Sequence, residues 1–411
     1  MKILGINKGA KMKIWIATGG TGGHVFPALS VAKELASRGH KITISSDGRV
    51  MKMVRDGKPE KARVAFVWAA GVGAKSKIKQ MIALAKIGVS AMALIVRFMF
   101  FRPQRVVAFG GYASVPAVFA AHVWKIPTYL HEQNAAIGRA NKFAMRWVKT
   151  LMTSFEHVDG MPKKTNVRVV YTGLPVREDF IKNANASLKH ENKILVTGGS
   201  LGAQILDEIA PIAIANMKNK KIFITHQTRP ENVEKLQQFY AAHKIRANVL
   251  SFIRDMATSI VDADLVIGRS GASTVVELET VGRPAILVPL NINPDQAANA
   301  ASFAKLGGGF DIEQSKFSAK WLTATLDDLF DNPTRLDKMA KKSYVPNLAV
   351  QKIADTVTKL KMPVWAFFYL PPIRNLFYDE LRKERNEIFF VIFDCIFYLC
   401  ERGDLCVFAG G

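Results

Sequence analysis

Three times in this sequence an apolar run of strand length stops at a pair of glycines and gives way to a helical pattern. The stretches are "WIATGGTGGHVFPALSVAKEL" from Trp15, "RVVAFGGYASVPAVFAA" from Arg105 and "KILVTGGSLGAQILDEI" from Lys193. Each spacing predicts strand, turn, helix. Glycines at such a turn let the backbone pass close to a ligand, and the free N–H groups of the following helix favour an anion, most often a phosphate. A turn with only a structural role is the alternative. The first turn has no G-x-G-x-x-G register and no Lys-Ser/Thr after its glycines, which excludes the dinucleotide fingerprint and the P-loop.

Further strand-like runs alternate with helical patterns: "KITISS", "RVAFVWAA" and "PTYLHEQ" in the first half, then "KIFITHQ", "NVLSFI", "ADLVIGRSG" and "RPAILVPL" in the second. Repeated strand–helix units predict an α/β fold with parallel sheets covered on both faces. The polar stretch "TGLPVREDFIKNANASLKHENK", residues 172–193, reads as a linker between two similar halves. The expected fold class is therefore α/β, with two facing Rossmann-like domains and an active site in the crevice between them; such a pair resembles the GT-B architecture of nucleotide-sugar glycosyltransferases.

Charge narrows the partners. Lysine and arginine number 57 against 34 acidic residues, a formal net charge of +23. That balance favours anionic lipids, nucleic acid or phosphorylated substrates, or else reflects lysines spread over a solvated surface. A basic membrane-surface or nucleic-acid-binding protein would explain the charge but none of the glycine turns. Cys395, Cys400 and Cys406 all lie near the C-terminus, so no disulfide framework is expected. The opening "MKILGINKGAKMKI" lacks the apolar stretch and cleavage site of a signal peptide, which predicts a cytoplasmic location. In "MIALAKIGVSAMALIVRFMFF", Lys86 and Arg97 leave only residues 87–96 uncharged, too few to span a bilayer. With Lys75, Lys77 and Lys79 before it, the segment reads either as a helix lying on an anionic membrane or as an ordinary core helix.

The stretches "GGTGGHVFPALSVA", "FGGYASVPA", "HEQNAAIGRANK", "TGLPVR", "TGGSLGAQILDE", "FIRDMA", "ADLVIGRSGASTVVELETVGRPAILVPL" and "DQAANA" occur in order from about Met12 to about Leu360. Together they resemble the MurG-type N-acetylglucosaminyltransferases of peptidoglycan synthesis. The resemblance implies inverting transfer of N-acetylglucosamine from UDP-N-acetylglucosamine to the C4 hydroxyl of undecaprenyl-diphospho-N-acetylmuramyl-pentapeptide (lipid I), giving lipid II. It implies a peripheral enzyme on the cytoplasmic face of the bacterial inner membrane, with cell-wall machinery proteins as partners, no nucleic acid and no cofactor. Another lipid-acceptor UDP-glycosyltransferase, or a UDP-N-acetylglucosamine 2-epimerase of similar fold, is the competing reading.

By the same resemblance Thr21, Gly22 and Gly23 face the donor, Asn134 sits near the sugar, and Arg177 and Ser200 approach the nucleotide and its phosphates. Ile253 offers backbone hydrogen bonds to uracil. Ala272, Ser273, Thr274, Val275 and Val276 form the turn and helix start beneath the nucleotide, Glu277 holds ribose hydroxyls, and Gln296 binds sugar hydroxyls. A one-step inversion needs a base for the attacking hydroxyl and positive potential for the departing diphosphate. Arg177, the glycine-turn N–H groups and helix N-termini can supply that potential without a metal; the carboxylates of "FIRDMA" and "VDADL" read as helix-start and turn residues. His24 is the candidate base, with a capping or substrate-orienting role as the alternative and Glu132 as the substitute; His131 and Glu132 otherwise brace the Asn134 loop.

The sequence predicts an N-terminal domain over 12–172 on the acceptor and membrane side, a linker over 173–193 and a UDP-sugar domain over 194–345. A C-terminal helix over 346–361 is expected to pack back. Three departures from the family pattern stand out. Leu201 replaces a glutamine common in relatives, "NINPDQAANA" is short, and residues 362–411 have no family counterpart and read as an accretion or reading-frame artefact, with a membrane-docking appendage as the alternative.

Overall fold

The structure, a computed structural model, describes residues 11–69, 77–162, 165–199, 202–219, 221–290 and 294–359, with Lys77 described by its backbone alone. The tail over 362–411 lies outside the described residues, and the chain divides into the units Met1–Val357 and Thr358–Gly411.

The first half runs β1 (Lys13–Ala17), α1 (Gly22–Ser37), β2 (Lys41–Ser46), α2 (Met51–Gly57), β3 (Arg63–Phe66), α3 (Lys77–Phe100), β4 (Arg105–Ala108), α4 (Val115–Val123), β5 (Thr128–Glu132), α5 (Arg139–Ala144), β6 (Thr150–Thr153) and β7 (Arg168–Tyr171). Its strands form one sheet in the order β3-β2-β1-β4-β5-β6-β7, every pair parallel. β1 is central: Ile16 lies opposite Ile44 on one side and Val107 on the other. Helices cover both faces, so Ile14, Trp15, Ile16 and Ala17 are all buried with no alternation between faces.

The second half runs α6 (Glu178–Lys182), β8 (Lys193–Thr197), α7 (Gln204–Ala215), β9 (Phe223–Gln227), α8 (Val233–Ala242), β10 (Arg246–Leu250), α9 (Met256–Asp262), β11 (Leu265–Gly268), α10 (Ala272–Val281), β12 (Ala285–Leu287), α11 (Pro294–Leu306), β13 (Gly309–Asp311), α12 (Ala319–Asp331), α13 (Pro333–Ser343) and α14 (Ala349–Thr358). Its sheet, β10-β9-β8-β11-β12-β13, is again parallel throughout. In both sheets the strand order reverses beside the first strand, at β1/β4 and β8/β11, which is where open α/β sheets bind ligands. The three glycine pairs and a fourth turn, Arg269–Gly271, follow these four strands.

Three features depart from the sequence reading. The segment over 172–193 joins the halves, but its first part is not a solvated connector: Leu174, Val176 and Phe180 are buried with the core of the second half. Strands β6, β7 and β13 are additional to the runs read from the sequence; β7, Arg-Val-Val-Tyr, is a mostly exposed edge strand and β13 has three residues. Most consequential is α3. Its charges do not shorten it, since Ile78–Phe100 forms 23 helical residues that by length and composition alone are enough to cross a membrane. Nor is it a core helix, because only 28% of its apolar window is buried. One face, with Ala83, Ala91, Leu94 and Phe98, packs into the domain, while Ile78, Met81, Ile82 and Val89 stand exposed. Ser90, buried on the inner face, accepts from Trp68 N at 2.7 Å and donates to Trp68 O at 3.0 Å, tying the helix to the strand side.

Candidate active site

The first glycine turn is organised by Asp47, a buried carboxylate just beyond β2. Its Oδ2 accepts from Gly20 N at 3.1 Å, and the same carboxylate receives Arg49 through the backbone N, Nε and Nη2. Helix α1 then begins after Thr21 with no side-chain cap and no acidic residue in its first turn; His24 N and Val25 N turn back on Thr21 O, which leaves the N–H groups of Gly22 and Gly23 for an outside anion. His24 lies in that turn. Its Nδ1 is 3.2 Å from Thr21 Oγ1, and the tautomer that donates there leaves the Nε2 lone pair free. Burial, reinforced by the Arg49 charge, pushes His24 down to about 4. The imidazole is therefore neutral near pH 7.

The second glycine turn meets this histidine. Gly110 has φ +78°, and a Cβ there would fall 3.1 Å from both His24 Cδ2 and Gln133 Oε1 and 3.2 Å from Asn141 Oδ1. A side chain would thus be strained in φ and crowded against the His24 ring. Gly110→Ala should cost about 1–3 kcal/mol of stability, the scale of a residue forced into the left-handed region, and should reduce turnover of the folded fraction. Urea denaturation at wild-type stability would show instead that the turn yields.

Glu132 does not stand free as a base. One oxygen accepts from Asn134 N and Nδ2, and the other from Gly138 N and Asn141 Nδ2. This fixes the loop that carries Asn134 and the start of α5. Burial raises its pKa, and those hydrogen bonds act against the rise. His131 is fully buried, donates from Nε2 to Gly173 O at 3.0 Å and is pushed down to about 4 by burial.

In the second half α10 starts at Gly271, uncapped and without an acid in its first turn. Ala272, Val275 and Val276 bury their side chains in the core, so only their backbone can face a ligand, whereas Ser273, Thr274 and Glu277 are partly open. Glu277 sits 3.7 Å from Arg177. Burial raises Glu277 to about 7, with Arg177 pulling the other way. Arg177, at the start of α6, also lies over the Phe180 ring at 4.9 Å and the Phe26 ring of α1 at 5.9 Å. Ile253 anchors its loop in the core. Gln296 uses Oε1 to accept from Leu290 N at 3.0 Å. Ser200 and Leu201 lie outside the described residues. Asp255 caps α9 and Asp264 receives His190 N and Lys193 N, so these two carboxylates serve the backbone, whereas Asp262 pairs with Lys189.

The halves meet at the two turns. A Cβ on Gly23 would lie 3.8 Å from Ser273 Oγ, bringing the starts of α1 and α10 together. Asn299, fully buried on α11, spans the junction: its Oδ1 accepts from Ala135 N at 2.7 Å while its Nδ2 donates to Asn134 Oδ1 at 3.3 Å and Ser270 O at 3.1 Å. Asn141, Asn299 and the Asp47–Arg49 pair are among the members of this constellation that the sequence did not single out. Asn299 lies inside "DQAANA", but nothing in that string says that its amide reaches the other half. The "DGR" turn after β2 is the only local signal for Arg49.

The chain is similar to known proteins along most of its length. The glycosyltransferase family 28 N-terminal domain matches residues 14–153 and the family 28 C-terminal domain residues 193–358. A protein of Methylorubrum extorquens (strain PA1) named UDP-N-acetylglucosamine--N-acetylmuramyl-(pentapeptide) pyrophosphoryl-undecaprenol N-acetylglucosamine transferase is 38% identical over 80% of this chain and 91% of its own length. The protein of that name from Paramagnetospirillum magneticum is 39% identical over 85% and 97%. The crystal structure of Acinetobacter baumannii MurG aligns with TM-score 0.69 at 30% identity, covering 85% of this chain and all of that one. A kitacinnamycin glycosyltransferase structure, 17% identical with TM-score 0.65, shares the fold. Two uncapped helix starts meeting beside a neutral histidine, on a chain so closely matched along nearly the whole length of these relatives, place this protein in glycosyltransferase family 28, among the MurG-type N-acetylglucosamine transferases.

Proposed function

We infer that this chain moves N-acetylglucosamine from UDP-N-acetylglucosamine onto the C4 hydroxyl of undecaprenyl-diphospho-N-acetylmuramyl-pentapeptide, inverting the anomeric carbon and making lipid II. The observation that carries the mechanism is the neutral His24 beside the junction of α1 and α10. Nε2 of His24 takes the hydroxyl proton as the C4 oxygen bonds to the anomeric carbon and the bond to the UDP oxygen breaks. The charge that develops on the departing diphosphate is met by Arg177 and by the uncapped N–H groups at the start of α10. The partly open Glu277, Ser273 and Thr274 hold the nucleotide, with Ile253 at the uracil. Asn134, kept in place by Glu132 and Asn299, and Gln296 hold the sugar.

The membrane contact is assigned to α3. Its outer face combines exposed apolar side chains with the exposed Lys79 and Lys86, as a helix lying in an anionic interface requires. Its inner face is committed to the domain, which supports a peripheral rather than a spanning placement. Of the three lysines that precede this face, the Lys75 residue and the Lys77 side chain lie outside the described residues.

The test is transfer of labelled sugar from UDP-N-acetylglucosamine by the purified protein, with and without lipid I. The expected result is lipid II formed only when the lipid-linked acceptor is present. Epimerisation of the donor without acceptor would defeat this reading.

A further inference from the structure

Hydrogen-bond polarity runs through the junction of the two halves in one direction. Asn299 meets two backbone groups whose roles are fixed. The N–H of Ala135, which can only donate, lies 2.7 Å from its Oδ1, and the carbonyl of Ser270, which can only accept, lies 3.1 Å from its Nδ2. Turning this amide over would set donor against donor and acceptor against acceptor at a residue with no exposed surface, where unpaired polar groups are most costly. The Asn299 amide therefore has one orientation.

That orientation is passed on. Nδ2 of Asn299 also donates to Asn134 Oδ1 at 3.3 Å, so Asn134 turns its oxygen toward α11 and its nitrogen away. On that other side Asn134 Nδ2 donates to Glu132 Oε1 at 3.4 Å, an oxygen that also accepts from Asn134 N at 3.0 Å. One Nδ2 proton of Asn134 is left without a partner among the described residues, on a side chain that is partly open. The groups that impose this arrangement come from both halves. Asn134 and Ala135 follow β5, with Ala135 buried in the core of the second half, whereas Asn299 and Ser270 belong to the second half. One turn before Asn299, Gln296 gives its carbonyl to Ser270 Oγ at 2.8 Å. The two side chains read as sugar contacts, Asn134 and Gln296, are thus tied to each other through Ser270 and Asn299.

We propose that Asn299 is the positioning residue that fixes Asn134 as a hydrogen-bond donor toward an oxygen of the transferred sugar, and that it does so only when the two halves are joined. A flipped Asn134 would present an acceptor there instead. The proposal rests on the sugar-donor reading above.

Calorimetry on the full chain with UDP and with UDP-N-acetylglucosamine tests it, because UDP carries no sugar. Asn299→Ala should weaken UDP-N-acetylglucosamine binding roughly threefold to tenfold, the scale of one hydrogen bond, and leave UDP at wild type. Asn134→Asp keeps the oxygen that Asn299 meets but replaces the outward N–H by an oxygen, and it disturbs neither Ala135 nor Ser270. It should show the same selective loss even if Asn299→Ala folds poorly. Asn134→Ala combined with Asn299→Ala should be no worse than Asn134→Ala alone, since Asn299 acts through that side chain. UDP-glucose locates the oxygen: a loss confined to UDP-N-acetylglucosamine assigns the acetamido carbonyl, and an equal loss in both assigns a ring hydroxyl. Additive losses in the double variant, wild-type affinity in Asn134→Asp, or parallel loss of UDP and UDP-N-acetylglucosamine binding in Asn299→Ala would each overturn the proposal and leave the reaction standing. A wild-type protein that binds UDP but neither binds nor transfers from UDP-N-acetylglucosamine would overturn the reaction itself.

Discussion

His24→Ala is expected to lower kcat by roughly 10²–10⁴-fold while UDP binding stays near wild type, because a positioned general base acts on the chemical step and not on the donor's hold. The geometry sharpens this expectation. Thr21 Oγ1 engages Nδ1, so a single lone pair is available, and burial with the nearby Arg49 holds the imidazolium down to about 4. Lowering pH through that value protonates His24, removes the lone pair and lowers the rate. The acidic limb of kcat/KM should therefore fall near 4, below the ordinary histidine value of about 6.5. Arg49→Met removes one of the two causes of the depression and should move that limb upward. His24→Gln keeps a polar group of similar reach that cannot take the proton, so it should be as poor as alanine and lose the limb as well. Substantial recovery in glutamine would mean that His24 only orients the acceptor, and the base would have to be sought elsewhere. Glu132 would be a weak successor, since both of its oxygens already brace the Asn134 loop.

The scaffold of this site was legible because its signals are local. A buried parallel strand is a continuous apolar run, and a glycine pair after it marks the point where the backbone must turn tightly; both can be read from β1, β4 and β8 without knowing what they pack against. The resemblance then supplied roles for residues that no spacing could have assigned, among them Ile253, whose side chain is simply core. What could not be read is set by tertiary placement. Asn299 joins Asn134 across 165 positions of sequence, and the need for a buried amide there exists only once two sheets have been brought together. Arg49 is one surface arginine among many until Asp47 pins it over Gly20. Helix α3 shows a different limit. Its two internal charges suggested a short apolar segment, yet Lys86 stands on the exposed side and Arg97 folds over the Trp15 ring, so composition alone could not separate a spanning, a core and an interfacial helix.

Glu277→Ala is expected to weaken UDP-N-acetylglucosamine binding by about 1.5–3 kcal/mol, the scale for losing a charged hydrogen-bond partner, with the fold intact. The side chain is only 15% exposed and stands midway along α10, where an ionised carboxylate can accept both ribose hydroxyls. Burial raises this carboxyl to about 7 and Arg177, 3.7 Å away, restrains the rise. As pH climbs through that value the acceptor form becomes the major one, so donor affinity should increase and then level off. Below it, binding must first expel a proton and weakens accordingly. The diphosphate diester of UDP-N-acetylglucosamine does not titrate in this window, which leaves the step to the protein. Glu277→Gln should flatten the step because its amide has no proton to lose. Arg177→Met should shift it to higher pH, since the cation that favours the carboxylate is gone, and should independently weaken binding through the phosphates. Calorimetry across pH 5.5–8.5 separates these effects. Wild-type affinity in Glu277→Ala, with the pH step still present, would place the carboxylate outside the ribose site and assign the step to another group.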